Sequence, residues 1–383
     1  MVKNGTKAVR YRDRRRDPAP TWLVVKRQRM KCHSCGKTLY QDVPHMDDRH
    51  YITARLRYDI AMSSAKRTFA DVSAMHGVEE TLARRVFRSF ADEKLLAYRY
   101  DAPRVLGIDE NHVLGGARGV IVDVGKGLLL DVLPGRTQSD VRRGFMERMD
   151  NWQNVEVWCQ DMAGAYKGVA TDLFPKALVV VDKFHVVMKA NYWWNRIRVA
   201  ETPKLPKEAR EKIPGLIRAF DRHWDQMKRG QQDRVAEFLE YSPRLKTAWT
   251  IKEHFYYFYD AKDREAAEKA YTAWVQFAMK NGQHAEWKRL MTMMQRWKPE
   301  IFNYFDHRWT SAKVERLNRS IKDINRAANG MDFQTLRAKA LLRHGQLIAP
   351  KSFTHYHIDT MPTDLIVHDL DWLPEAISTP FAG

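Results

Sequence analysis

Hydrophobic positions along this 383-residue chain keep a helical period near the front, switch to a strand period in the middle and return to a helical one. From Thr68 the spacing predicts two helices, Thr68–His76 and Glu79–Lys94, separated by Gly77-Val78. Thr68 can cap the first helix, and Gly77 supplies the left-handed turn between them. In the second, Leu82, Val86 and Phe90 recur at i, i+4 and i+8 and predict its buried face. After Pro103 the runs are short and apolar: Val105–Asp109, Gly119–Val124, Leu128–Leu133, Val155–Asp161 and Ala177–Asp182 read as strands. Gly125-Lys126-Gly127 joins the second and third of these as a hairpin. A helix capped by Ser139 or Asp140 runs to about Asp150, a second spans Ala163–Leu173, and a long one follows Asp182. This order predicts an α/β class with a mixed sheet. From about Lys204 to Asp306 only helical periodicity remains. In the helix over Trp309–Arg326, Val314, Leu317, Ile321 and Ile324 form a 3-4-3 apolar stripe.

Charge changes the picture most at the front. The chain carries a net charge of +18, and residues 1–67 hold 17 Lys or Arg against 6 Asp or Glu. Arg10, Arg12, Arg14, Arg15 and Arg16 form one basic cluster, and Lys26, Arg27, Arg29 and Lys31 a second. Such an excess predicts a polyanionic partner, DNA or RNA, bound through counterion release. No apolar run approaches the ~20 residues of a spanning helix. No apolar stretch follows the first charges, and three cysteines make no disulfide framework, so a reducing cytoplasm is expected.

Three sets of side chains carry candidate chemistry. Cys32-His33-Ser34-Cys35-Gly36 is a C-x2-C knuckle that offers zinc two thiols, with His45 and His50 as the available third and fourth ligands; reduced buried thiols are the plainer reading. Arg84, Arg85 and Arg88, with Thr81, project from the second helix away from its apolar face, where a recognition helix meets the major groove; a helical hairpin with a basic solvated face has the same pattern. Asp109 and Asp161 end two strands and can share a divalent cation if those strands are neighbours. Glu315, beside the apolar stripe and followed by Asn318, Arg319 and Lys322, is the third acid. By position alone it serves equally as a metal ligand or as the i,i+4 partner of Arg319.

The blocks Gly107-Ile108-Asp109-Glu110, Asp161-Met162-Ala163-Gly164-Ala165-Tyr166, Val181–Val187 and Val314–Lys322, with the segment Ala327–Leu341, resemble the ISL3 family of bacterial insertion-sequence transposases, in family order from about Lys26 to Gly345. The resemblance implies a ribonuclease-H-like core with a large all-helical insertion, preceded by a zinc-knuckle-like segment and a helix-turn-helix. It implies DDE chemistry by Asp109, Asp161 and Glu315 with Mg²⁺, or Mn²⁺ in its place. Asp182 and His185 match a D-x2-H signature and are expected, with Asn318, to position the site, while Arg319 and Lys322 hold DNA. The partners implied are double-stranded DNA, as element ends and target, and further copies of the chain in a synaptic complex, in the bacterial cytoplasm near the nucleoid. Family members carry a further cysteine pair upstream of the knuckle; no cysteine precedes Cys32, which leaves the zinc set incomplete.

The expected organisation is a basic segment with a zinc-ribbon remnant (1–52), a helix-turn-helix domain (53–100), the first part of the core (101–203), the helical insertion (204–306), the final core helix (307–345) and a tail (346–383). Trp224, Trp249, Phe255, Tyr256, Tyr257, Trp274, Trp287 and Trp297 of the insertion are expected to pack its helices rather than to stack on bases. Two other functions share most of these features: an inert DNA-binding regulator on a transposase scaffold, and another ribonuclease-H-like nuclease.

Overall fold

The computed structural model describes residues 1–15, 19–282, 285–310, 312–327 and 330–347. Arg16 of the first basic cluster, Ser311, Ala328 and Asn329, and the tail from residue 348 on lie outside the described residues. The chain forms two units, one of Met1–Tyr98 with the residues from Asp323 on, the other of Arg99–Lys322.

In the first unit, β1 (Val2–Arg12), β2 (Trp22–Lys31), β3 (Thr38–Tyr40), β4 (Met46–Asp47) and β5 (Ile52–Thr53) make a sheet in the order β3-β2-β1-β5-β4. The front of the chain is thus a folded hairpin rather than a solvated arm. Tyr11 pairs with Leu23 across it, and both are buried. The arginines read as phosphate contacts turn out to be partly internal. Arg12 donates to the Gly77 carbonyl at 2.9 Å, and Arg14 makes two bonds to Asp59, at 2.6 and 3.0 Å. Buried Arg27 holds Asp48 at 2.8 Å. A guanidinium can satisfy several backbone and carboxylate acceptors at once, so a run of arginines is ambiguous between anchoring and DNA contact.

Three helices follow: α1 (Ala54–Lys66), α2 (Phe69–His76) and α3 (Glu80–Leu96). Thr68 caps α2 in a reciprocal box with Asp71, and Gly77 at φ 61° ends it in the left-handed region. The buried face of α3 is rotated from the expected one: Ala83, Val86, Phe87 and Phe90 are inside, while Leu82 is half-buried. The reason lies at the far end of the sequence, where α14 (Phe333–His344) packs on α1 and α3. The predicted 307–345 segment is therefore divided, its second helix belonging to the N-terminal unit.

The second unit begins with β6 (Tyr100–Asp101), then β7 (Val105–Val113), β8 (Gly116–Asp123) and β9 (Leu128–Val132). After these come α4 (Gln138–Arg148), β10 (Met149–Asp150), β11 (Val157–Gln160), α5 (Gly164–Leu173), β12 (Leu178–Val181) and α6 (Lys183–Glu201). The main sheet has the order β12-β11-β7-β8-β9: the β7–β8–β9 strands are antiparallel, and β11 and β12 run parallel to β7. This is the mixed sheet the pattern predicted. Two details differ. Strand β7 does not end at Asp109 but continues to Val113, because Asn111 and Val113 still pair with Arg118 and Gly116 on β8. Helix α4 is capped by Thr137, with Asp140 closing a capping box, rather than by Ser139 or Asp140.

On one face of the sheet, Trp158 of β11 meets Phe145 of α4 at 5.8 Å between ring centres, and Phe174 after α5 at 5.4 Å. The helical insertion comprises α7 (Lys207–Phe220), α8 (Arg229–Leu239), α9 (Pro243–Phe258), α10 (Arg264–Asn281), α11 (Ala285–Arg296) and α12 (Lys298–His307). Trp249, Phe255, Trp274, Trp287 and Trp297 are buried in it as expected, whereas Tyr257 is exposed and Trp224 and Tyr256 are half-buried. No helix among the described residues is long and apolar enough to cross a membrane.

Candidate active site

The site is built where α13 (Ala312–Arg326) crosses β7. Residues two apart on a strand share a face, so Gly107, Asp109 and Asn111 form one row, and each meets α13. A Cβ on Gly107 would lie 3.3 Å from Val314 and 2.6 Å from Val124, so only glycine lets the helix come this close. Asn318, one turn on from Val314, donates from its amide to Asp109 at 2.8 Å. Fully buried Asn111 donates to the Asn318 carbonyl at 2.8 Å and to its side-chain oxygen at 3.2 Å. Val314, Leu317, Ile321 and Ile324 are all buried, the stripe the period predicted.

Parallel pairing aligns the second acid with the first. Cys159 of β11 lies opposite Gly107 of β7, and Asp161 follows Cys159 by two residues as Asp109 follows Gly107. Just past its strand, the Asp161 carboxylate accepts the Ala163 N–H at 3.0 Å in a local turn. Gln160 braces that turn by donating to the carbonyls of Asp161 and Ala163, and its own oxygen accepts from the Trp158 indole.

Four carboxylates, Asp109, Glu110, Asp161 and Glu315, line a cavity of about 460 Å³ together with Arg136, His185, Asn318, Arg319 and Lys322. Burial raises the Asp109 carboxyl above its ordinary range, and repulsion from Asp161 and Asp182 adds to this against the opposing charge of His185. Burial likewise raises Asp161, with Glu110 adding and His185 opposing. The His185 ring nitrogen stands 3.8 Å from Asp109. Glu315 is half-exposed and pairs with Arg319 at 2.9 Å, so the surface-pair reading and the cavity-lining reading hold at once. Arg136, from the loop after β9, pairs with Glu110.

The cavity therefore gathers Asp109, Asp161, Glu315, His185, Asn318, Arg319 and Lys322 from four separate elements. Asp182 is not among its lining; it is buried at the N-terminus of α6. Sequence reasoning assigned no role to Glu110, Asn111 or Arg136. Glu110 and Asn111 adjoin Asp109, and the continuation of β7 past Asp109 was the missing signal. Arg136 lies in a loop and gave none.

At the front of the chain, Cys32 and Cys35 sit in the turn after β2. Hydrogen bonds from Ser34 and then Cys35 lower the Cys32 thiol to about 7. His50 is bonded to Asp47 at 2.8 Å instead. Among the described residues no group of three or more His, Cys, Asp or Glu is arranged to hold a metal ion, at the knuckle or in the cavity. Of the three arginines of α3, Arg84 pairs with Glu80 and lies over the Phe69 ring, and Arg88 pairs with Asp332; Arg85 is exposed.

Comparison with known proteins agrees with this architecture. Residues 106–340 match a transposase family, and residues 41–91 match the helix-turn-helix domain of transposase family ISL3. The transposase for insertion sequence element IS1001 of Bordetella parapertussis is 26% identical over 80% of this chain and 77% of its own length. The transposase for insertion sequence element IS1557 of Mycobacterium tuberculosis is 24% identical over 84% and 78%. With a helix-turn-helix in its first unit and an acidic cavity in its second, the chain belongs to the ISL3 family of transposases.

Proposed function

We propose that this transposase binds the terminal inverted repeats of an insertion sequence and cuts and joins DNA strands by DDE chemistry on a ribonuclease-H-like core. Asp109, Asp161 and Glu315 are the three acids of that chemistry. The observation that carries the reading is one carboxylate on β7 and a second just past the end of neighbouring parallel β11, lining one cavity with a third from α13. An antiparallel β7–β8–β9 arrangement extended by parallel β11 and β12 supports the core assignment.

The donor set suits a hard divalent cation, Mg²⁺ or Mn²⁺, because all three ligands are carboxylate oxygens. The raised Asp109 and Asp161 carboxyls fit the same group, since a nearby cation would offset the burial and repulsion that raise them. Asp109, Asp161 and Glu315 would hold such an ion, which when bound would supply activation of a water or DNA 3′-hydroxyl and charge for the leaving oxygen. The chain's own residues do the rest. Asn318 orients Asp109 through its hydrogen bond, His185 stands beside the same carboxylate, and Arg136, Arg319 and Lys322 offer charge to the phosphodiester. No protein nucleophile is required. Sequence readout falls to α3 and its Arg85, and synapsis to further copies of the chain.

The test is Mg²⁺- or Mn²⁺-dependent cleavage of DNA carrying the element ends, wild type beside Glu315→Gln. Cuts at a repeat boundary that disappear in the variant, with end binding unchanged, are expected. Specific binding with no metal-dependent cuts in the wild type points instead to an inert regulator.

A further inference from the structure

Helix α6 leaves the cavity with two parallel rows of side chains on its outer surface. One row begins at His185, which lines the cavity, and continues through Lys189 and Arg196, both exposed. The other is flat or apolar: Phe184, Met188 and Tyr192 at i, i+4 and i+8, with exposures of 49, 43 and 51%. At 100° per residue the second row lies directly beside the first. The Phe184 ring stands edge-on to His185 at 5.7 Å, so the apolar row starts at the cavity mouth. Lys189 follows cavity-lining His185 by one helical turn, so the cationic row starts at the same mouth.

Large exposed apolar side chains cost hydration free energy, and here two rings and a methionine recur at one helical interval next to cations. Single-stranded nucleic acid has the complementary layout, an anionic backbone beside a line of stacking faces. We infer that the outer face of α6 is a single-strand DNA track leading from the acidic cavity. Phosphates run along Lys189 and Arg196, and bases stack on Phe184 and Tyr192. The inference rests on the proposed cutting of DNA in that cavity and assigns the path of the strand beside the cut. Eight residues of helix separate Phe184 from Tyr192 and advance about 12 Å, so the two rings meet different nucleotides of an extended strand.

The test uses the full chain and a short single-stranded thymidine oligonucleotide carrying one 5-iodo-deoxyuridine, irradiated in the near ultraviolet. Adducts should map to the α6 peptide at Phe184 or Tyr192. Phe184→Leu/Tyr192→Leu keeps apolar bulk but removes the flat faces; it should weaken single-strand binding about tenfold or more and leave duplex end binding unchanged. Both positions are exposed, so an unchanged melting temperature verifies that the variant folds. Adducts only elsewhere, or unaltered single-strand affinity, overturn the track. So does loss of self-association in the variant, which would make this face a contact between copies. Binding needs no cleavage: Glu315→Gln should bind and cross-link like wild type, so failure of the cutting assay and failure of the track are read separately.

Discussion

Gly107→Ala tests the close approach on which the site depends. The added Cβ would stand 2.6 Å from a Val124 methyl and 3.3 Å from a Val314 methyl, on either side. Carbon atoms in contact prefer about 3.5–4.0 Å, so a displacement of about 1 Å is required. Valine is stiff at χ1 and cannot swing away cheaply; strand β7 or the backbone at Val124 must move, while α13 at Val314 has to give only slightly. Overpacking of this kind costs about 1–3 kcal/mol. For a unit the size of Arg99–Lys322, that lowers the melting temperature by about 2–12 °C. Activity should fall further than stability, because β7 carries Asp109 two residues on, and a 1 Å misplacement costs about 100-fold. Thermal unfolding and metal-dependent cleavage of element-end DNA measure the two effects. Val124→Ala in the same chain removes the nearer methyl and should restore most of the lost cleavage. A Gly107→Ala protein that melts within about 1 °C of wild type and cuts as fast would refute the argument.

Other substitutions separate roles that the sequence leaves merged. Asp109 and Asp161 titrate above their ordinary range because they are buried, so the fold binds their protons more tightly than the unfolded chain does. These groups therefore favour folding below the ordinary carboxylate range and oppose it as pH rises through their raised values. Asp109→Asn, in chelator, should melt higher than wild type at pH 7.5, lose that advantage as pH is lowered, and fail to cleave; a lower melting point at pH 7.5 would contradict the assignment. On α3, Arg85→Ala should reduce the salt dependence of end binding by about 0.9 in log–log slope. Arg84→Ala, losing Glu80 and the Phe69 ring, should instead act mainly on thermal stability. Equal binding losses from both would remove the distinction.

Much of this was legible because it depends on local chemistry. Thr68 and Gly77 bound α2 through a cap and a left-handed turn, and the Val314–Ile324 stripe is a period that only a helix satisfies. The acids were legible as strand-end carboxylates, and neighbouring strands brought them together. What could not be read depends on partners distant in sequence. The extension of β7 is set by pairing with β8, and the rotation of α3 by a helix more than two hundred residues away. Arg12 and Arg14 are indistinguishable in sequence from DNA contacts until Gly77 and Asp59 are seen beside them. The knuckle is the reverse case: two thiols at the expected spacing lie in a turn, but His50 has taken Asp47 as its partner.

Helix α14 gives the first unit a discontinuous chain, with one share before the core and one after it. Lys339, nearly buried, donates to the Arg67 carbonyl at 2.9 Å, and Asp332 holds Arg88, so the late segment completes both α1's end and α3's face. Chains fold from the N-terminus as they are made, yet this unit must wait until the whole core has left the ribosome. A polypeptide released early carries the helix-turn-helix sequence without its covering helix. The covered helix-turn-helix and the three acids of the cavity therefore become available together, late in synthesis.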